Sequence, residues 1–337
     1  MKVCFFSHGS GTNQDGATLS MLNVMAELAN RDHEVIGIMA KDVNLEYMKK
    51  KKNVKFYFIP SYDMRLDLSR TGRKVELKYF VKNKLNWFIM QKTLKILRNE
   101  NIDIIHINGL NNGIGAMIAQ KLRIPYVWHI RQLMEEDLHQ RLYNQKKVWP
   151  MVKSANAVIA ISRAVKEKFE KEFNREIIVV YNGVPVEKYR IDNHSIFDEE
   201  LVKMVLPGRI VEGKGQLEAV KALKYLIDND IKNVKLILVG HKQSKYAQEV
   251  EAFVAKNDIA SYIEIQEHNA DLRSLRGICD IGLTCSVKEA FGRVTVENQM
   301  AGLLAIGSNT GGTPELIEHK VTGLLYQQGS YQSLASQ

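Results

Sequence analysis

Two periodicities alternate along this chain. Continuous apolar runs of four to seven residues are separated by longer stretches in which apolar side chains recur every three or four positions. Residues 2–7 (KVCFFS) read as a buried strand, followed by a glycine-rich loop to Gly16 and a helix near 17–30. A second strand is predicted at 34–40, after the turn Arg31-Asp32-His33, and later ones at 102–107, 125–130, 157–161 and 177–181. The second half repeats the theme at 202–206, 234–239, 262–265, 280–284 and 304–307. Short Val/Ile-rich strands of this kind suit a parallel sheet covered on both faces. Between the halves, 184–200 loses periodicity and carries Pro185 and clustered charge, so it is read as a linker. The predicted architecture is α/β, with two doubly wound, Rossmann-like parallel-sheet domains at 1–183 and 201–337 and right-handed crossovers. Domains of this class bind ligands outside the carboxyl ends of their strands, and with two of them the cleft between is the expected active site.

Composition narrows the class further. With 337 residues, 45% hydrophobic and 25% charged, the chain reads as an ordinary two-domain globular protein. No stretch approaches the ~20 apolar residues of a spanning helix. The start, MKVCFFSHGSG, lacks the long apolar core and cleavage site of a secretory signal. Cys4, Cys279 and Cys285 show no metal-ligand spacing and read as buried free thiols in a reducing, cytoplasmic setting. The net charge of +9 is unevenly placed: residues 1–190 carry 32 basic and 19 acidic side chains, the remainder 15 and 19. Most of the excess lies in 51–98, where 13 basic residues face only Asp63, Asp67 and Glu76. That asymmetry points to an anionic surface or ligand on one side of the molecule.

Three loops after predicted strands carry candidate chemistry. In residues 8–16, HGSGTNQDG, glycines let backbone N–H groups approach an anion at a helix N-terminus; the same loop reads equally as a flexible turn, since it has neither dinucleotide spacing nor a Walker lysine. In residues 206–223, LPGRIVEGKGQLEAVKAL, Arg209 and Lys214 flank a turn that opens a helix. A planar guanidinium and a compact ammonium there suit a diphosphate, or else form a solvated surface pair. In residues 285–302, CSVKEAFGRVTVENQMAG, Glu289 lies in the loop and Glu297 in the following helix, with Phe291-Gly292 between. A carboxylate accepts two hydroxyl protons at once, so one glutamate can face a sugar and the other a ribose diol. Gly311-Gly312-Thr313-Pro314-Glu315 then follows another strand and opens another helix.

These residues carry a resemblance. The sequence resembles the retaining glycosyltransferases of family 4, which have the two-domain GT-B architecture. The likeness covers essentially the whole chain. It rests on DGATLSMLNVMAELANRDHEV, IDIIHINGLNNGIGAMIAQKLRIPYVWHIR, SANAVIAISRAVKEKF, VVYNGV, GRIVEGKGQLEAVKAL and EAFGRVTVENQMAGLLAIGSNTGGTPELIEHKVTGLLY. The last holds the family's Glu-x7-Glu block and is the most specific. The resemblance implies transfer of a sugar from a nucleotide-sugar donor to a hydroxyl acceptor, with retention at the anomeric carbon. Carried onto this chain, Arg209 and Lys214 hold the donor diphosphate and Glu297 the ribose. Glu289 and the Phe291-Gly292-Arg293 backbone meet the donor sugar, Gly16 closes onto the phosphates, and His129 lies near the reacting sugar. A histidine packed at a strand end is also an everyday structural feature. The class implies same-face attack, with the departing phosphate taking the acceptor's proton, no metal ion and no cofactor beyond the donor. Asp-x-Asp spacing occurs only at Asp228-Asn229-Asp230, outside the three candidate loops, and no histidine cluster is present.

Two departures from the family pattern stand out. After the 262–265 strand, members show a glycine near the base where this chain reads QEHNADL; UDP is the expected nucleotide. After TGLLY, members continue for tens of residues, and the ending GSYQSLASQ reads as a truncation. The hinge is expected at Asn182-Gly183-Val184. The window 51–98 mixes cations with Phe80, Trp87 and Phe88 at partly helical spacing. Such a face suits an anionic leaflet and a lipid-linked acceptor, as in surface polysaccharide assembly, with the protein peripheral at the inner face of the cell membrane. Alternatively its aromatics pack into the core beneath a solvated basic face. No nucleic-acid module is visible. The rival readings are a GT-B nucleotide-sugar epimerase and a non-catalytic, membrane-docking partner subunit.

Overall fold

The structure, a computed structural model, describes residues 1–7, 16–40, 45–136, 139–241, 244–267 and 272–337. The chain divides into two compact units, Met1–Gly183 and Val184–Gln337.

The first unit contains β1 (Lys2–Ser7), β2 (Glu34–Met39), β3 (Val54–Phe58), β4 (Arg65–Asp67), β5 (Ile104–Asn108), β6 (Tyr126–Ile130), β7 (Gln140–Leu142), β8 (Ala157–Ala160) and β9 (Ile178–Val179). Seven of these form one parallel sheet in the order β3-β2-β1-β5-β6-β8-β9, while β4 and β7 pair antiparallel as a separate ribbon. Successive strand residues point to opposite faces, and in the central strand β1 both faces are dry. Val3 and Phe5 pack with Met21, Leu22 and Met25 of the helix Gly16–Asn30, while the intervening Cys4 and Phe6 are also buried.

The second unit has β10 (Val202–Pro207), β11 (Val234–Val239), β12 (Ile263–Gln266), β13 (Ile281–Thr284), β14 (Leu304–Ser308) and β15 (Leu324–Tyr326), all parallel in the order β12-β11-β10-β13-β14-β15. Alternation again divides the core. Leu206, Leu236 and Leu238 meet Val220, Leu223 and Val250 of the helices Gln216–Asp228 and Lys245–Lys256. Val205, Ile237 and Val239 meet Cys279, Ala301 and Leu303 on the other face. All three cysteines are free and buried.

The structure corrects several readings. The segment 184–200 is part of the second unit. Tyr189 of the short helix Val186–Tyr189 is buried, His194 Nε2 lies 3.0 Å from the Cys279 carbonyl, and the Phe197 N–H donates to Asp280 Oδ1 at 2.6 Å. Its lack of periodicity reflects irregular backbone tied down by single polar contacts. Strand β3 went unread because its lysine and half-buried aromatics lie inside the basic window, at the edge of the sheet. Only Ile178–Val179 of the expected 177–181 strand pairs, also at an edge.

Within the basic window, residues Arg73–Leu97 form one 25-residue helix. It buries Asn86, Met90, Thr93, Leu94 and Leu97 and leaves Phe80, Trp87 and Phe88 at 53%, 47% and 61% exposure. The aromatics are therefore outside the core. No described helix is long and apolar enough to cross a membrane.

Candidate active site

Strand order locates the place to look. In each sheet the chain runs outward from one central strand, then returns to the other side, leaving a crevice where neighbouring loops diverge. In the first sheet that switch falls between β1 and β5, and in the second between β10 and β13.

At the second switch, the loop after β10 carries Arg209 and Lys214, and the loop after β13 carries Glu289. The two loops are pressed together. Gly215 sits at φ +70°, and a Cβ there would lie 2.0 Å from the Cys285 carbonyl oxygen, so only glycine permits the approach. The Val287 N–H donates to the Gly213 carbonyl at 3.0 Å. This brings Lys214 Nζ to 2.6 Å from Glu289 Oε1, with the side chains 21% and 17% exposed. The Ser286 hydroxyl donates to the same oxygen at 2.6 Å. Burial raises the cost of a charge on Glu289, but the Lys214 ammonium, its hydrogen bond, the Ser286 hydroxyl and the Arg209 charge outweigh it and hold the carboxyl below its ordinary range. Arg209 is exposed, and its carbonyl accepts from buried Gln216 Nε2 at 2.9 Å.

The glycine pair Gly311-Gly312 supports this loop from β14. Gly311, at φ +59°, would place a Cβ 2.2 Å from the Glu289 carbonyl oxygen, and the Gly312 N–H donates to that oxygen at 2.8 Å. Phe291 is buried, and Gly292 precedes the helix Arg293–Met300 at φ +98°. In that helix Glu297 is engaged at both oxygens: Arg276 Nη2 donates to Oε2 at 2.9 Å and Arg293 Nη2 to Oε1 at 3.3 Å. Arg276 is 1% exposed, donates from Nε to Asn298 Oδ1 at 2.9 Å, and lies 5.7 Å from the Tyr189 ring centre. A carboxylate has about four acceptor positions, so Glu297 retains capacity for hydroxyl donors.

At the first switch, His129 is the penultimate residue of β6 and lies opposite Asn108 at the end of β5. Arg131 follows, 5% exposed, donating from Nε to Asn108 Oδ1 and from Nη1 to Asn182 Oδ1 at 2.6 Å. Its Nη2 lies 3.2 Å from His129 Nδ1. Asn108 Nδ2 in turn donates to the Ala17 carbonyl at 3.4 Å, which ties the cluster to the first turn of the helix that begins with exposed Gly16. Burial, then the Arg131 charge and His106, hold the His129 imidazole neutral, well below the ordinary histidine range.

The structure thus brings Lys214 and Glu289 into contact, pairs Arg293 with Glu297, and ties His129 to the start of the helix at Gly16. Residues 8–15 of the first glycine-rich loop and 268–271 of the QEHNADL segment lie outside the described residues. Asn182-Gly183-Val184 falls where the two units divide. Arg276, Ser286, Asn108 and Arg131 were missed. Ser286 had a local signal in its spacing three residues before Glu289. Arg276 had none, because it meets Glu297 from 21 positions away.

Comparison with known proteins adds to this geometry. A model of "Glycosyltransferase Family 4" matches residues 14–188, and one of "Glycosyl transferases group 1" matches residues 187–337. An uncharacterized glycosyltransferase of Methanocaldococcus jannaschii, MJ1178, is 27% identical over 239 residues, covering 70% of this chain and 64% of that protein. The capsular polysaccharide biosynthesis glycosyltransferase CapM of Staphylococcus aureus is 25% identical over 244 residues, covering 67% and 63%. The chain thus aligns with under two thirds of the length of these relatives. Among solved structures, Anabaena HepE in complex with UDP and glucose superposes with a TM-score of 0.78 at 22% identity, covering 100% of this chain and 88% of that one. That likeness is one of fold.

Proposed function

The chain belongs to glycosyltransferase family 4, and from that premise we propose that it transfers a hexosyl group from a UDP-sugar to a hydroxyl acceptor, with retention at the anomeric carbon. The observation that carries this reading is the Lys214–Glu289 contact at the switch between β10 and β13. Breaking the anomeric C–O bond puts negative charge on the diphosphate and positive character on the sugar ring. Arg209 and Lys214, with the start of the helix Gln216–Asp228, supply positive charge where the leaving group develops. Glu289, kept ionised by Lys214, accepts from sugar hydroxyls, and Glu297 accepts from the ribose. In this reading the acceptor oxygen bonds to the anomeric carbon on the face the phosphate leaves, and its proton passes to a departing phosphate oxygen. No metal ion is called for, since the two cations offset the charge. UDP is favoured because HepE, of the same fold, is found with UDP and glucose.

The acceptor is proposed to be a lipid-linked saccharide at an anionic membrane face. The helix Arg73–Leu97 supports this, turning Leu77, Phe80, Val81, Trp87 and Phe88 outward at 47–64% exposure, interleaved with exposed Lys74, Lys78, Lys84, Lys92 and Lys95. Such a face buries apolar side chains at the headgroup level while its ammonium groups meet lipid phosphates. The similarity to CapM agrees with an acceptor of surface polysaccharide assembly.

Calorimetric titration with UDP, beside GDP and ADP, tests the donor site first; selective UDP binding that is lost in Lys214→Ala is the expected result. Incubation with UDP-hexoses and a polyprenyl-diphosphate saccharide then tests transfer, the anomeric coupling of the product reporting retention. Donor rearranged without any acceptor would replace the transferase reading with the epimerase one.

A further inference from the structure

We propose that Arg131 is a positioning residue that fixes His129 with its proton on Nε2, making the histidine a hydrogen-bond donor to a substrate hydroxyl and denying it the role of base. The inference deepens the proposed transfer reaction and rests on it for the identity of the substrate.

A guanidinium only donates, and it stays charged throughout the working range of proteins. With Arg131 Nη2 3.2 Å from His129 Nδ1, that nitrogen must therefore accept. A neutral imidazole has one bare nitrogen and one protonated nitrogen, so the proton resides on Nε2. A doubly protonated ring would set an N–H against the guanidinium N–H, in a site where His129 is 5% exposed. The arginine is itself held on two other arms, by Asn108 Oδ1 and Asn182 Oδ1, so its direction is set independently of the histidine.

The consequence lies at the other nitrogen. His129 Nε2 is buried and has no hydrogen-bond partner among the described residues. A buried donor left without an acceptor is costly, and in a native protein such a group calls for an explanation, a catalytic role or a bound water, ion or ligand atom among them. The donor sits at the carboxyl end of β6, beside the switch between β1 and β5, and its cluster reaches the first turn of the helix Gly16–Asn30 through Asn108. A sugar hydroxyl oxygen supplies the missing acceptor. Since Nε2 already carries its proton, it does not receive one from the acceptor substrate, in keeping with proton transfer to the departing phosphate.

The tautomer is read directly, without substrate, from long-range proton–nitrogen correlations of the full chain labelled with nitrogen-15 histidine, with His129 assigned by its disappearance in His129→Gln. A bare Nδ1 and a protonated Nε2 are expected; a proton on Nδ1, or on both nitrogens, overturns the proposal. In Arg131→Met the ring should become a mixture of tautomers, and transfer should slow by about tenfold or more with little change in donor KM, the scale of a misplaced hydrogen-bond donor. Arg131→Lys, which keeps the charge but loses the fork, should restore only part of the rate, and it answers the same question should Arg131→Met not fold. Persistence of the pure Nε2–H form in both variants would remove Arg131 from the role. Absence of transfer in every variant and in the unaltered chain would instead remove the glycosyl-transfer reading, because the spectrum is recorded independently of it.

Discussion

The two units solve the same topological problem with different electrostatics. At the switch of the second sheet, charges are arranged in mutual support: Lys214 on Glu289, and Arg276 with Arg293 on Glu297. At the switch of the first sheet, a neutral histidine is steered by an arginine that two asparagines hold. The first arrangement suits a ligand whose charge changes during reaction, since preorganised ions need not reorient when the leaving group forms. The second suits an uncharged hydroxyl, for which direction matters more than charge. The outer surfaces differ in the same sense, the basic excess lying almost wholly in the first unit, on the helix Arg73–Leu97 and the residues before it.

The contrast breaks most visibly if the paired charges are unpaired. Arg276→Met leaves Glu297 with Arg293 as its charged partner, and should cost the second unit about 3–5 kcal/mol, the range for removing one side of a buried ion pair. Urea unfolding followed by probes in each unit measures it. A loss below about 1 kcal/mol would mean that the cluster is effectively solvated.

Next in size, Lys214→Ala and Glu289→Ala should each lower turnover at least ~100-fold, the scale of one lost electrostatic contact to a transition state. Near-normal rates in both would falsify the assignment of the second switch as the donor site.

The surface half of the comparison is tested by replacing Phe80, Trp87 and Phe88 together with serine. Binding to vesicles containing anionic phospholipid should weaken about tenfold or more, and binding of the unaltered chain should fall steeply with added salt. Salt-independent binding would return the helix to an ordinary solvated face.

Two small effects sharpen the picture. The Glu289 carboxyl is held below the usual value of about 4.5 because Lys214, Ser286 and Arg209 together outweigh burial. Its pairing is therefore complete above that value and is lost only as the pH falls through the lower folded one. The pH–rate profile should thus show no acid limb from this group near neutrality. Treatment with a chelator should leave the rate unchanged, whereas a large loss restored by a divalent cation would show that Arg209 and Lys214 do not suffice.

What the sequence by itself determined is the set of central strands and the loops that follow them. Apolar runs such as 34–40 and 234–239 can be satisfied only by burial on both faces, and glycines beside Arg209, Lys214 and Glu289 marked where backbone must turn tightly. These signals are local, carried by periodicities within a few residues. Edge elements were less legible: β3 is half exposed, so its apolar pattern is diluted by lysine.

The tertiary structure decided which of these groups meet. Lys214 and Glu289 are 75 positions apart, Arg131 and Asn182 are 51 apart, and Arg276 and Glu297 are 21 apart. No spacing rule reaches across those distances, because the meeting depends on which strand lies beside which at a crossover. It also decided that the aromatics of the helix Arg73–Leu97 face outward, since helical spacing sets which residues share a face, and only packing against the rest of the unit chooses which face is buried.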